Sequence, residues 1–139
     1  NTPEGLKIGK GRVLCEGHEV AILSLGPLGN NVTKAIELLE TENIHPTHVD
    51  MRFLKPLDEE LLADIAAHHK VLITIEDGVA KGGLFSAVSE YISDHQLDNR
   101  LSHIAIDDRF VPHGDIPSLY KELGFDAEGI ARVIRKAVR

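Results

Sequence analysis

Only one cysteine, Cys15, occurs in the 139 residues, so an internal disulfide is excluded. The alternating apolar stretch around it reads as a strand and casts the thiol as a small buried hydrophobe, as a reducing cytoplasm permits. Long apolar runs are absent too: none approaches the roughly 18 to 20 residues that cross a bilayer. The opening NTPEGLKIGKG has no apolar core of the kind a signal peptide needs. Positive charge is sparse, with 15 Lys and Arg against 22 Asp and Glu and a formal charge of -7. No cationic cluster precedes the last helix, which argues against nucleic acid, whose binding depends on neutralising phosphates.

Chemical motifs are equally thin. GPLGNN (26–31) occupies the place of a phosphate-binding turn but matches neither G-x-G-x-x-G nor G-x-x-x-x-G-K-[ST], so it reads as a tight strand-to-helix turn. There is no G-x-S-x-G elbow, and the one thiol lies in a strand rather than at an electropositive helix start. His45 and His48, and the pair His68 and His69, lack further ligands at metal spacing and read as solvated element ends.

What is present suits a folded domain. With 42% hydrophobic and 27% charged residues the chain lies far from the disordered corner of composition, and its length fits one core. Residues 1–10, rich in Pro, Gly and Lys, read as a linker from an upstream domain, and 11–139 as the domain itself.

RVLC (12–15) and VAILSL (20–25) are β-rich segments joined by EGHE, too short for a parallel crossover, which predicts an antiparallel hairpin. Val32, Ala35, Ile36 and Leu39 then recur at helical spacing. THVDMRF (47–53) reads as a strand, and Asp58 as the cap of a helix with Glu59 and Glu60 in its first turn and Leu57 stapled onto Leu62. VLITIED (71–77) is almost continuously apolar, the mark of a strand covered on both faces. A helical stripe of Leu84, Ala87, Val88, Tyr91 and Ile92 follows, then the strand LSHIAI (101–106). Helices over IPSLYKELG and after Asp126 close the chain, the latter burying Ile130, Val133, Ile134, Ala137 and Val138. The alternation predicts a three-layer αβα fold of about five strands, mostly parallel, with one antiparallel edge strand.

In such folds ligands and partners meet the carboxyl ends of the strands. The loops expected there are GPLGNN, MRFLKP, EDGVAKGG and DDRFVPHGD. Asp107 and Asp108 are neighbours on extended chain and point apart, so they do not form a Mg2+ pair. Asp115 suits a helix cap, and Arg109 offers a fork for a carboxylate. The stretch IDDRFVPHGD (106–115) therefore reads as a self-braced contact surface.

The succession VAILSLG, VDMRFLKPLDEELL, HHKVLITIEDGVAKGGLFSAVSEYI, DDRFVPHGD and LYKELGFDAEGI resembles the C-terminal domain of the transketolase family of thiamine-diphosphate enzymes. It covers residues 11 to 139, and the RF-KPLD and DRF-HGD segments resemble the 1-deoxy-D-xylulose-5-phosphate synthase branch. The resemblance implies a cytoplasmic homodimeric enzyme that condenses pyruvate with D-glyceraldehyde 3-phosphate, loses carbon dioxide, and feeds isoprenoid, thiamine and pyridoxal synthesis. It also implies that thiamine diphosphate and Mg2+ are held upstream through G-D-G and Asn, and substrate phosphate by a Y-P-R-G segment ending just before Asn1. None of these motifs occurs here, so this domain is expected to serve assembly, to bind no cofactor and to be inactive alone. Arg52, Phe53, Glu76, Asp77, Asp108, Arg109 and His113 are the expected interdomain or dimer contacts. Transketolase itself, a 2-oxoacid dehydrogenase β subunit, and a free-standing small-anion module remain open as alternatives.

Overall fold

The computed structural model describes residues 9–26, 29–53, 56–76, 83–105 and 126–138. Five strands, β1 (Arg12–Cys15), β2 (Glu19–Leu25), β3 (Thr47–Asp50), β4 (His69–Glu76) and β5 (Arg100–Ala105), form one sheet in the order β1-β3-β2-β4-β5. All neighbours are parallel except β1 and β3. Four helices are described: α1 (Gly29–Glu40), α2 (Glu59–His68), α3 (Gly83–Asp94) and α4 (Ala127–Ala137).

Alternation along the strands divides the core in two. Val20 and Ile22 of β2 and Val71, Ile73 and Ile75 of β4 join Val32, Ile36 and Leu39 of α1 and Ile130 and Ile134 of α4. Ala21, Leu23, Val49, Met51 and Leu72 join Leu62 and Ile65 of α2 and Leu84 and Val88 of α3 on the opposite face. The three layers expected from the sequence follow directly, because β2 and β4 carry apolar side chains on both faces.

The helices begin where their caps dictate. Asp58 accepts the Leu61 N–H at 3.0 Å, and its other oxygen takes the Gly11 N–H at 2.9 Å, so one carboxylate starts α2 and secures the entry to β1. Asp126 accepts the Gly129 N–H at 3.0 Å and starts α4. Leu57 packs against the cluster that contains Leu62, as a staple should.

The expected β1–β2 hairpin is not formed. β1 does run antiparallel at the edge, but its partner is β3, with Arg12 opposite Asp50 and Val13 opposite Val49. β2 is the middle strand, hydrogen-bonded to β3 and β4, and has no free edge. Residues 16–18 step across the start of β3: Gly17 N–H donates to Thr47 Oγ1 at 2.9 Å and His18 N–H to the His45 carbonyl at 2.8 Å. Two strand spacings are about 10 Å, within reach of so short a link. The crossing is so close that a Cβ on Gly17 would lie 1.8 Å from the His45 carbonyl oxygen.

Other sequence expectations also change. β3 stops at Asp50 rather than 53, and Cys15, on the exposed edge strand, is half-buried rather than enclosed. His48 and His69 were expected at solvated ends; they are 1% and 8% exposed, because each finds a buried hydroxyl on another strand, His48 on adjacent β2 and His69 on β3, two strands away. The expected helix over IPSLYKELG lies outside the described residues.

Candidate functional site at the carboxyl ends of the strands

β3 leaves the sheet through a strained turn. The Asp50 carboxylate accepts the Arg52 N–H at 3.0 Å, and the Phe53 N–H turns back onto the Met51 carbonyl. This puts Arg52, with φ of +59°, at the centre of a three-residue turn in the left-handed region. Arg52 Nε also lies 3.9 Å from Asp50, and its side chain is 17% exposed. Arg52 and Phe53 thus stand at the end of β3, as the sequence suggested.

Glu76 does something the sequence reading missed. It is fully buried, and its two oxygens accept the N–H groups of Leu84 at 2.9 Å and Phe85 at 3.1 Å. A carboxylate at the end of one strand thereby satisfies the unpaired donors of the next helix and is compensated by its dipole. It braces the domain from within instead of offering its oxygens to another surface. The clue was available: residue 76 alternates with Leu72 and Thr74 on a strand buried on both faces.

Beside it, His103 Nδ1 lies 3.0 Å from Thr74 Oγ1 and 3.7 Å from Glu76 Oε2, and Phe85 packs on the imidazole with centroids 4.6 Å apart. The sequence reading placed His103 in a strand without a role; only the register that sets Thr74 opposite it reveals the cluster.

On the other face, Ser24 Oγ and His48 Nε2 lie 2.9 Å apart, beneath the first residue of α1. The spacing would suit a nucleophile and its base. Both side chains are only 1% exposed, however, and burial pushes the His48 pKa down to about 4 against the opposing pull of Asp50. A neutral imidazole sealed from solvent joins β2 to β3 and has no route to a substrate.

Among the described residues no group of three or more His, Cys, Asp or Glu side chains could hold a metal ion. No described helix is long and apolar enough to cross a membrane. Of the expected contacts, Asp77, Asp108, Arg109 and His113 lie outside the described residues, as does most of EDGVAKGG and all of DDRFVPHGD.

Comparison with known proteins gives this geometry its context. The family model described as transketolase, C-terminal domain, matches residues 9–130. The 1-deoxy-D-xylulose-5-phosphate synthase of Parabacteroides distasonis is 46% identical over 136 residues, which is 98% of this chain and 22% of the relative. The enzyme of the same name from Cytophaga hutchinsonii is 46% identical over 95% of this chain and 21% of the relative. A solved structure described as a split gene transketolase, inactive β4 tetramer, is 32% identical with a TM-score of 0.82, covering 95% of this chain and 43% of that one. The chain thus spans about a fifth of the length of the curated relatives it matches. It belongs to the transketolase C-terminal domain family.

Proposed function

We propose that this domain is the assembly module of a 1-deoxy-D-xylulose-5-phosphate synthase. The enzyme it serves condenses pyruvate with D-glyceraldehyde 3-phosphate and releases carbon dioxide. The observation that carries the reading is the 46% identity to enzymes of that name across nearly the whole chain. The assembled enzyme is a cytoplasmic homodimer that uses thiamine diphosphate with Mg2+, and the thiamine supplies the carbanion chemistry. The described residues offer no metal-holding set for a diphosphate-bound cation, so no step of the reaction is assigned to them. Their part is to present a rigid surface. The β3 end with Arg52 and Phe53 contributes to it directly, and Glu76 holds the start of α3 behind it. Asp77, Asp108, Arg109 and His113 extend the same surface in this reading.

A chimera tests the proposal: the matching C-terminal segment of the Parabacteroides distasonis enzyme is replaced by this chain, and product formation and dimer mass are measured. Activity of the same order as the parent is expected. A soluble chimera that is dimeric yet inactive, or calorimetric binding of thiamine diphosphate by the 139-residue chain alone, would overturn it.

A further inference from the structure

The imidazole of His103 is held on three sides and exposed on the fourth. Thr74 Oγ1 lies 3.0 Å from Nδ1 and 3.5 Å from the Ser102 carbonyl. The oxygens nearest Nδ1, Thr74 Oγ1 at 3.0 Å and Glu76 Oε2 at 3.7 Å, can both take its proton, which assigns the N–H to Nδ1 and leaves a lone pair on Nε2. Phe85 covers one face of the ring, at a 37° tilt, and Glu76 Oε2 stands 3.7 Å behind Nδ1. The Glu76 carboxylate is itself immobilised by two backbone N–H groups. The His103 side chain is 27% exposed, and Nε2 has no hydrogen-bond partner among the described residues. A ring oriented in this way by neighbours at Nδ1 is pre-organised to use Nε2.

We infer that His103 is a docking contact, its Nε2 accepting a hydrogen bond from an N–H or O–H donor in the preceding part of the partner protomer of the same enzyme. The inference rests on the assembly role proposed above and adds the residue and the chemistry of its partner. Two observations select a protein donor. The relatives are several times longer than this chain, so most of the polypeptide that could cover His103 lies beyond it. The lone pair on Nε2 calls for a donor, which a protein N–H or O–H supplies and an ionised phosphate or carboxylate oxygen does not.

The test uses the chimeric full-length enzyme with His103→Phe, which keeps the stack on Phe85 but removes the acceptor, and His103→Gln, which can restore one. The dimer dissociation constant measured by analytical ultracentrifugation should rise about a hundredfold in the Phe variant, because a two-fold dimer loses the contact twice and each hydrogen bond is worth about tenfold. The Gln variant should recover most of the loss, and turnover per assembled dimer should stay unchanged in both. Nitrogen-15 imidazole shifts of the 139-residue chain should show the Nδ1–H tautomer and should not move on addition of inorganic phosphate. Unchanged dimerisation in the Phe variant of an active chimera would sink the inference while leaving the assembly role intact. A phosphate-induced shift would replace it with a small-anion site, and a dimeric but inactive chimera would remove both.

Discussion

Two histidine–threonine pairs stand at opposite ends of the sheet, and they differ in how much of the imidazole they consume. At the amino end, Thr47 Oγ1 lies 2.7 Å from His69 Nε2 and accepts the Gly17 N–H, while His69 Nδ1 donates to the Ile65 carbonyl at 2.7 Å. Asn99 closes the group by donating to the carbonyls of Ala66 and His69. Both ring nitrogens of His69 are used within the domain, and His69 is buried. At the carboxyl end, Thr74 engages only Nδ1 of His103 and the other nitrogen is left over. The same residue types therefore make a sealed fastener in one place and an outward-facing group in the other. The difference is one of saturation, not of composition.

The comparison can be broken most severely at its sealed end. Gly17→Ala forces a Cβ into the His45 carbonyl, and because backbone must move, about 3 kcal/mol of stability should be lost in urea unfolding. Loss below about 1 kcal/mol would mean that the crossing over β3 is looser than described.

A pH titration should have an effect of nearly the same size. The His48 pKa is lowered from 6.5 to about 4 in the fold, so between those values the unfolded chain binds a proton that the folded one refuses. Stability is therefore complete above pH 6.5, falls as the pH drops from 6.5 to 4, and levels off below as far as this group is concerned. The full contribution is about 3 kcal/mol, and in His48→Gln the part of the acid slope between pH 6.5 and 4 that this group causes should disappear.

The finer comparison replaces each threonine by its isostere. Thr47→Val strands a Gly17 N–H and a buried His69 nitrogen and should cost about 2 kcal/mol. Thr74→Val, whose histidine is partly hydrated, should cost about 0.5 to 1 kcal/mol. Equal losses in chemical denaturation would erase the distinction between the two ends.

The helices were the most legible part of the molecule. Val32, Ala35, Ile36 and Leu39 form the buried stripe of α1 that their spacing announced, and Asp58 and Asp126 cap as read. These features are local, decided within one or two turns of chain. The polar clusters were not legible, because their members meet across the sheet: Ser24 with His48, Thr47 with His69 and Thr74 with His103 lie 24, 22 and 29 residues apart. Glu76 was misjudged for a related reason. An acidic residue at a strand end reads as surface until the helix that receives it is known to start against it.

The amino-acid order by itself determined the alternation of strands and helices, the two-faced apolar strands and the caps, since these depend on period, propensity and short-range hydrogen bonds, and its motif segments carried the resemblance to the family. Only the tertiary structure decided that β3 inserts between β1 and β2, and which histidines are sealed and which is left facing out. Strand neighbours are chosen by the packing of the whole sheet, and burial of a polar side chain depends on whether that packing brings it a partner.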